Sequence, residues 1–190
     1  MTPYELLSKL RRDVQATIDF ANEVELLPES TLNWKERGEK WSILECLEHL
    51  NRYSSYYHSE LRKAIAVAIS SDNKQEARST WMGKKFIAMM HPDNTTKQKT
   101  LARMNPIHGT LKRDVIKKFL KNQEDLLDII NDASNIDLNK GSVRVEFLKL
   151  LRMNIGDTLQ FLVVHEQRHI QQAQGARSNS EILLAPALKI

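Results

Sequence analysis

One cysteine, six glycines and five prolines are spread over 190 residues, and each scarcity removes a class of protein. Cys46 alone cannot close an intramolecular disulfide, and nothing in its usage demands an oxidising compartment; a lone thiol on a helix face reads as a small buried hydrophobe. So little glycine and proline excludes collagen-like and low-complexity architectures. No apolar run approaches the roughly 18 residues of a membrane span. The opening Met1-Thr2-Pro3-Tyr4-Glu5 lacks the basic stretch and apolar run of a signal peptide. A cytoplasmic protein with no membrane partner is therefore the expectation. Charge of one sign is also lacking: 28 Lys and Arg against 24 Asp and Glu leave +4, with the acids interleaved through the chain. A nucleic-acid partner is not called for.

What remains is a chain with 41% hydrophobic and 27% charged residues, long enough to bury a substantial core as one domain over 1–190. Thr2-Pro3-Tyr4-Glu5 places a hydroxyl at an N-cap, proline at the first helical position and a carboxylate at the third, so a first helix starts there. Leu6, Leu10, Val14, Ile18 and Ala21 form its stripe, and Pro28 closes it. Ser42 and Glu45 repeat the capping pattern and open a second helix. Its stripe, from Ile43 through Leu47, Leu50, Tyr57, Leu61 and Ile65, carries it to about Ser70. Between 71 and 109, Pro92 and Pro106 limit regular structure to one helical piece around Trp81–Met90. Periodicity returns from Thr110 to about Asn131 as a third helix, 138–153 reads equally as a strand or a helical turn, and Gly156-Asp157 caps a fourth helix from Thr158 to about Ala176. The fold expected is an all-α four-helix bundle over about 2–176 with a long crossover between the second and third helices, followed by a strap or tail over 177–190.

The sharpest local signal is His165-Glu166-Gln167-Arg168-His169. Two histidines at i and i+4 on a helix share one face, a spacing that suits one metal ion. Thr158, Phe161, Leu162 and Gln172 lie on the same side, so the pair belongs to an inward face where polar groups need partners. Read literally the motif is HExxH, the zincin signature, with Glu166 as general base. A metzincin continuation needs Gly at position 172 and His at 175, where this chain has Gln172 and Gly175. Glu166 instead falls about 100° off the shared face, either behind the ligands or exposed. The third ligand candidate is His49, two turns into the second helix, which reaches the pair if the second and fourth helices are neighbours. Three imidazoles with one open position equip a catalytic rather than a structural divalent site.

Trp41-Ser42, Glu45 and His49-Leu50, followed far downstream by Gly156-Asp157, Leu159, His165-x-x-x-His169 and Gln172, resemble the DinB/YfiT-like superfamily of metal-dependent enzymes. The resemblance implies a bundle with one long crossover and one divalent metal ion, usually zinc or nickel, held by His49, His165 and His169. It further implies a pocket over the open metal face, which Tyr53 and Gln172 would line, and frequent homodimerisation. It also implies thiol S-transferase or hydrolase activity on a small electrophilic substrate, with a low-molecular-weight thiol as partner in the transferase case. The competing expectation is a non-catalytic stress-response metal-binding protein. His58, His91 and His108 read as surface or loop residues, and Trp34, Trp41 and Trp81 as core or lid packing. Lys84, Lys85, Lys97, Lys99 and Arg103 in the crossover read as a solvated face.

Overall fold

In the computed structural model, which describes residues 1–36, 40–71, 75–107 and 111–184, helices dominate, as expected of an all-α chain. The helices are α1 (Pro3–Glu25), a one-turn α2 (Glu29–Leu32), α3 (Ile43–Ala66), α4 (Trp81–Met90), α5 (Asp114–Asp132) and α6 (Ile155–Leu184). A small antiparallel hairpin, β1 (Val143–Val145) with β2 (Leu148–Met153), precedes α6. Both sequence-read capping boxes form. The Thr2 hydroxyl accepts from the Glu5 N–H at 3.1 Å and Glu5 accepts from the Thr2 N–H at 2.8 Å. Ser42 and Glu45 do the same at 3.2 and 2.9 Å.

Four long helices make the bundle: α1 and α3 occupy opposite corners, and each packs against both α5 and α6. Cross-helix contacts fix the directions. Glu48 faces Lys118 and Arg62 faces Asp132, so α3 and α5 run parallel. Tyr57 packs on Phe161 while His49 meets His169, so α3 and α6 run antiparallel. Two successive long helices of the bundle that run parallel require a connection returning along it, about 36 Å for the 24 residues of α3. The long crossover follows from that.

Several boundaries differ from the sequence expectation. Helix α3 ends at Ala66 rather than near Ser70, because backbone pairing captures the residues beyond: Asp137 N–H donates to the Ile69 carbonyl, Ser71 N–H donates to the Asn135 carbonyl, and Ser70 bridges Ile136. Helix α5 starts at Asp114, after an Arg113 whose guanidinium donates to the Glu25 and Leu27 carbonyls at the end of α1. Helix α6 starts at Ile155, one turn early, because Asn154 and not Gly156-Asp157 caps it: the Asn154 side chain accepts from the Asp157 N–H at 2.6 Å. It continues to Leu184, past Gly175, where the Arg177–Glu23 pair at 2.9 Å ties the added turns to α1. Over 143–153 the strand reading wins, with Val143, Val145 and Met153 buried and a bulge between Arg144 and Val145. His108, Thr110 and the 185–190 end of the expected tail lie outside the described residues. Among the described residues no helix is long and apolar enough to cross a membrane.

The crossover helix α4 is gripped at both ends by α6. Asp157 accepts from the Thr80 N–H at 3.0 Å and from its hydroxyl at 2.7 Å at the N-terminus of α4. Arg168 donates to the carbonyls of His91, Asn94 and Thr96 beyond its C-terminus. Eleven residues of α6 separate the two grips, about 16 Å, and the ten residues of α4 span about 15 Å. The signs also match: a carboxylate meets the positive end of the α4 dipole and a guanidinium the negative end. This docking requires glycine at 83, where an added Cβ would lie 2.1 Å from the Asp157 carboxyl carbon. Gly83→Ala should therefore destabilise the fold by about 1–3 kcal/mol in urea unfolding, although alanine is the better helix former by about 1 kcal/mol. Unchanged or increased stability would refute the close docking of α4 on Asp157.

Candidate metal centre

His49 projects from the second turn of α3, and His165 and His169 from consecutive turns of α6. Because the two helices run antiparallel in contact, the three rings meet. His49 Nε2 lies 3.2 Å from His165 Nε2, which lies 3.0 Å from His169 Nε2. The three rings are buried, at 2%, 2% and 8% exposure, and form the group among the described residues whose donor atoms, all within 4.8 Å of one another, could hold a metal ion.

The proton inventory is compatible with a cation between the rings. His49 Nδ1 lies 2.8 Å from the Met104 carbonyl, which only accepts, so this nitrogen carries the proton and Nε2 is a lone pair. His169 Nδ1 faces Gln172 Oε1 at 2.9 Å and repeats the arrangement. Two lone pairs thus converge on His165 Nε2. A proton placed there satisfies the trio only by leaving His165 Nδ1 a bare acceptor, and that atom is buried without a hydrogen-bond partner. A cation between the rings would accept the Nε2 lone pairs of all three, whereas a single proton on His165 Nε2 has to be shared between two acceptors; His165 Nδ1 is without a partner in either case. Tetrahedral coordination at Zn–N distances of about 2.05 Å separates donors by about 3.3 Å, within a few tenths of the two spacings seen. Burial drives all three imidazoles towards the neutral, ligating form, His49 to about 4 and His165 and His169 well below their ordinary value.

Aromatic rings hold the donors in place. Trp41 stacks on His169 at 5.4 Å and tilts against His49 at 4.7 Å. Phe161 stacks on His165 at 5.9 Å. Tyr53 fills the remaining side, 4.8 Å from His49 and 4.5 Å from His165, with its hydroxyl pushed up to about 12 by burial, so it stays protonated. Gln172 is exposed at the rim. A separate cleft of about 580 Å³ between α4 and α6 is lined by residues including Lys84, His91 and Gln160 and by none of the three histidines.

Glu166 is neither exposed nor directed at the histidines. Its buried carboxyl accepts from Gln123 Nε2 at 3.1 Å, and Gln123 in turn accepts from the Thr17 hydroxyl at 3.2 Å. Burial raises Glu166 to about 8, so it is largely protonated near neutral pH. That arrangement gives no zincin-type base. Cys46 is buried with its thiol pushed upward, as expected of an apolar filler. Two bland readings are corrected. His58 is a buried α3 residue rather than a surface one, with Nε2 unpartnered. Trp81 is 78% exposed rather than packed, with the Lys85 ammonium 5.3 Å from its ring. Sequence reasoning missed the Met104 carbonyl, because a main-chain acceptor leaves no signal in residue type.

A family model described as the DinB superfamily matches residues 10–173, most of the chain. An uncharacterized protein of Bacillus subtilis (strain 168), YuaE, is 22% identical over 168 residues, covering 88% of this chain and 96% of its own. No solved structure matches.

The buried His58 makes stability pH-dependent in a stated direction. Its folded value is depressed to about 4, chiefly by burial, so between that and its ordinary 6.5 the unfolded chain binds the extra proton. The stability it supports is complete above about 6.5 and is lost as pH falls towards 4, by up to about 3 kcal/mol. His58→Gln should lose less stability than wild type between pH 7 and 4.5 in urea titrations of metal-stripped protein. Parallel losses in the two proteins would exclude His58 as the group responsible.

Proposed function

The chain belongs to the DinB superfamily, and on that premise we propose that it is a divalent-metal-dependent enzyme, a hydrolase or thiol S-transferase, acting on a small electrophilic substrate at His49, His165 and His169. The observation that supports this most is the convergence of three buried imidazole Nε2 atoms, two of which, on His49 and His169, are left as lone pairs by the hydrogen bonds at Nδ1. When bound there, a zinc or nickel ion supplies Lewis acidity, lowering the proton affinity of a nucleophile placed on its open face. The protein's own groups do the rest. The Met104 carbonyl and Gln172 fix the tautomers and raise the basicity of His49 and His169. Trp41, Phe161 and Tyr53 exclude water, and the protonated Tyr53 hydroxyl is the neighbouring side-chain donor available to a substrate oxygen. A low-molecular-weight thiol is the co-substrate in the transferase case, and Gln172 lines its entrance.

The depth of the three rings favours a second reading, a non-catalytic metal-binding protein, in which the same ligands hold a closed site. Three protein ligands leave a fourth position, and its occupant separates the two. Cobalt-substituted protein should show a visible spectrum that azide or a thiol perturbs if the site is catalytic; indifference to both favours the structural role. The reading includes a homodimer, which sedimentation analysis at micromolar concentration should show as twice the 22.0 kDa chain mass.

Elemental analysis of protein purified without chelators should find about one divalent metal per chain. His49→Ala should reduce metal affinity by orders of magnitude, since two imidazoles do not make a stable catalytic zinc site, while helicity stays near wild type. If His49→Ala retains wild-type affinity while His165→Ala loses it, the α3 ligand is misassigned.

A further inference from the structure

The carbonyl that orients His49 belongs to a turn with little regular structure of its own. Met104 ends a single 3-10 turn, Ala102–Met104, in the crossover. Three successive carbonyls at its end are each taken by α3 side chains. Arg52 Nη1 donates to the Arg103 carbonyl at 3.2 Å and the Asn105 carbonyl at 2.9 Å, on either side of the Met104 carbonyl that accepts from His49. Arg52 lies three residues after His49 and its Nε donates to Glu48 at 3.1 Å, so one face of the turn is pinned to the ligand helix.

The other face is held from the hairpin. The Arg103 guanidinium donates to Glu146 Oε1 through Nε at 2.5 Å and through Nη2, and Nη2 also donates to the Glu146 carbonyl at 3.0 Å. Glu146 is 2% exposed and stands in the short turn between β1 and β2. Its N–H donates to the Tyr57 hydroxyl at 3.1 Å, two turns along α3 from His49. Its second oxygen, Oε2, is buried with no hydrogen-bond partner. A carboxylate removed from water with one oxygen unpaired costs more free energy than a solvated ion pair would, so the pair is a weak way to add stability. It is an effective way to fix position, because a guanidinium gripping both a side chain and a carbonyl of one residue has little rotational freedom left.

We infer that Glu146, acting through Arg103, is a positioning residue of the metal centre: it immobilises the turn whose Met104 carbonyl sets the tautomer and ring angle of His49. The inference rests on reading the three histidines as metal ligands. If the turn relaxes, the His49 ring is free to rotate about its Cβ–Cγ bond and to exchange tautomers, and the fraction of molecules presenting Nε2 to the metal falls.

Zinc affinity, measured by competition with a chromophoric chelator, and the visible spectrum of cobalt-loaded protein test this in wild type and three variants. Glu146→Gln keeps the side-chain volume and should weaken zinc binding about tenfold, as loss of support behind a ligand does, with a shift in the cobalt bands. Arg103→Lys keeps the charge but not the fork and should fall between, which preserves the test if Glu146→Gln fails to fold. Leu61→Ala, a cavity three turns along α3 from His49, should lower the thermal midpoint while leaving zinc affinity and cobalt bands at wild-type values. Wild-type affinity and an unchanged cobalt spectrum in both Glu146→Gln and Arg103→Lys would overturn the inference. So would equal weakening by Leu61→Ala, which would reduce the effect to general destabilisation. A wild type that binds neither zinc nor cobalt refutes the metal reading itself, a result separable from either.

Discussion

The antiparallel contact between α3 and α6 is the constraint on which the candidate site depends. His49 lies one turn inside the N-terminus of α3, and His165 and His169 lie in the middle of α6. Only opposed chain directions with the registers shown, Tyr57 against Phe161 and His49 against His169, put the three Nε2 atoms together. A slip of one helical turn, about 5.4 Å, would separate them beyond any common ion. The register is held by apolar packing in two clusters of buried residues: Tyr57 of α3 with Phe161 and Leu162 of α6 in one, and Leu47 and Leu50 of α3 with Ile170 and Ala173 of α6 in the other. Burying a ring of that size stabilises by about 1.5–3 kcal/mol, so the core can carry the free-energy cost of three clustered imidazoles.

The second constraint is topological. Because α3 and α5 run parallel, the chain must return the length of the bundle between them, and the return path becomes part of the site's surroundings. Its α4 segment docks on α6 through Asp157 and Arg168, and its Ala102–Met104 turn docks on α3 through Arg52 and His49. Arg168 is the residue before His169, and Arg52 follows His49 by three. Each of the two histidine-bearing helices thus fastens the crossover with an arginine close to its own histidine, so the elements that position the crossover also restrict the imidazoles.

The α-helices and the histidine pair were legible in the sequence because their signals are local. Capping boxes at Thr2 and Ser42 and the i, i+4 spacing of His165 and His169 need no knowledge of the rest of the chain. The third histidine was within reach because His49 flanks an apolar stripe. What was not legible depends on distant backbone. The end of α3 is set by pairing of Ile69 and Ser71 with the 135–137 segment, and a main-chain acceptor such as Met104 has no residue-type signature. His58 was misread for a related reason. Its place about 180° from His49 on α3 keeps it out of the histidine cluster but not in solvent: it is buried, with Asp125 of α5 near enough to act on its charge. A helix in a bundle with two neighbours buries more than one stripe.

Glu166 shows why a motif must be weighed by the direction of its side chains. In a zincin the glutamate between the histidines faces the same cleft as the metal. Here Glu166 instead enters the bundle interior, where its carboxyl accepts from Gln123 of α5, which in turn accepts from the Thr17 hydroxyl of α1. Its hydrogen-bond partner is one neutral amide donor, so the uncharged acid is the form that burial favours. The two faces of α6 therefore have opposite proton preferences: burial keeps the histidines neutral by withholding a proton and Glu166 neutral by retaining one. The segment 165–169 consequently holds its two imidazoles and its carboxyl uncharged near neutral pH, so a divalent ion, if bound, would supply the charge at the histidine cluster. Binding of such an ion would add directly to folding free energy, because no comparable three-imidazole site exists in the unfolded chain.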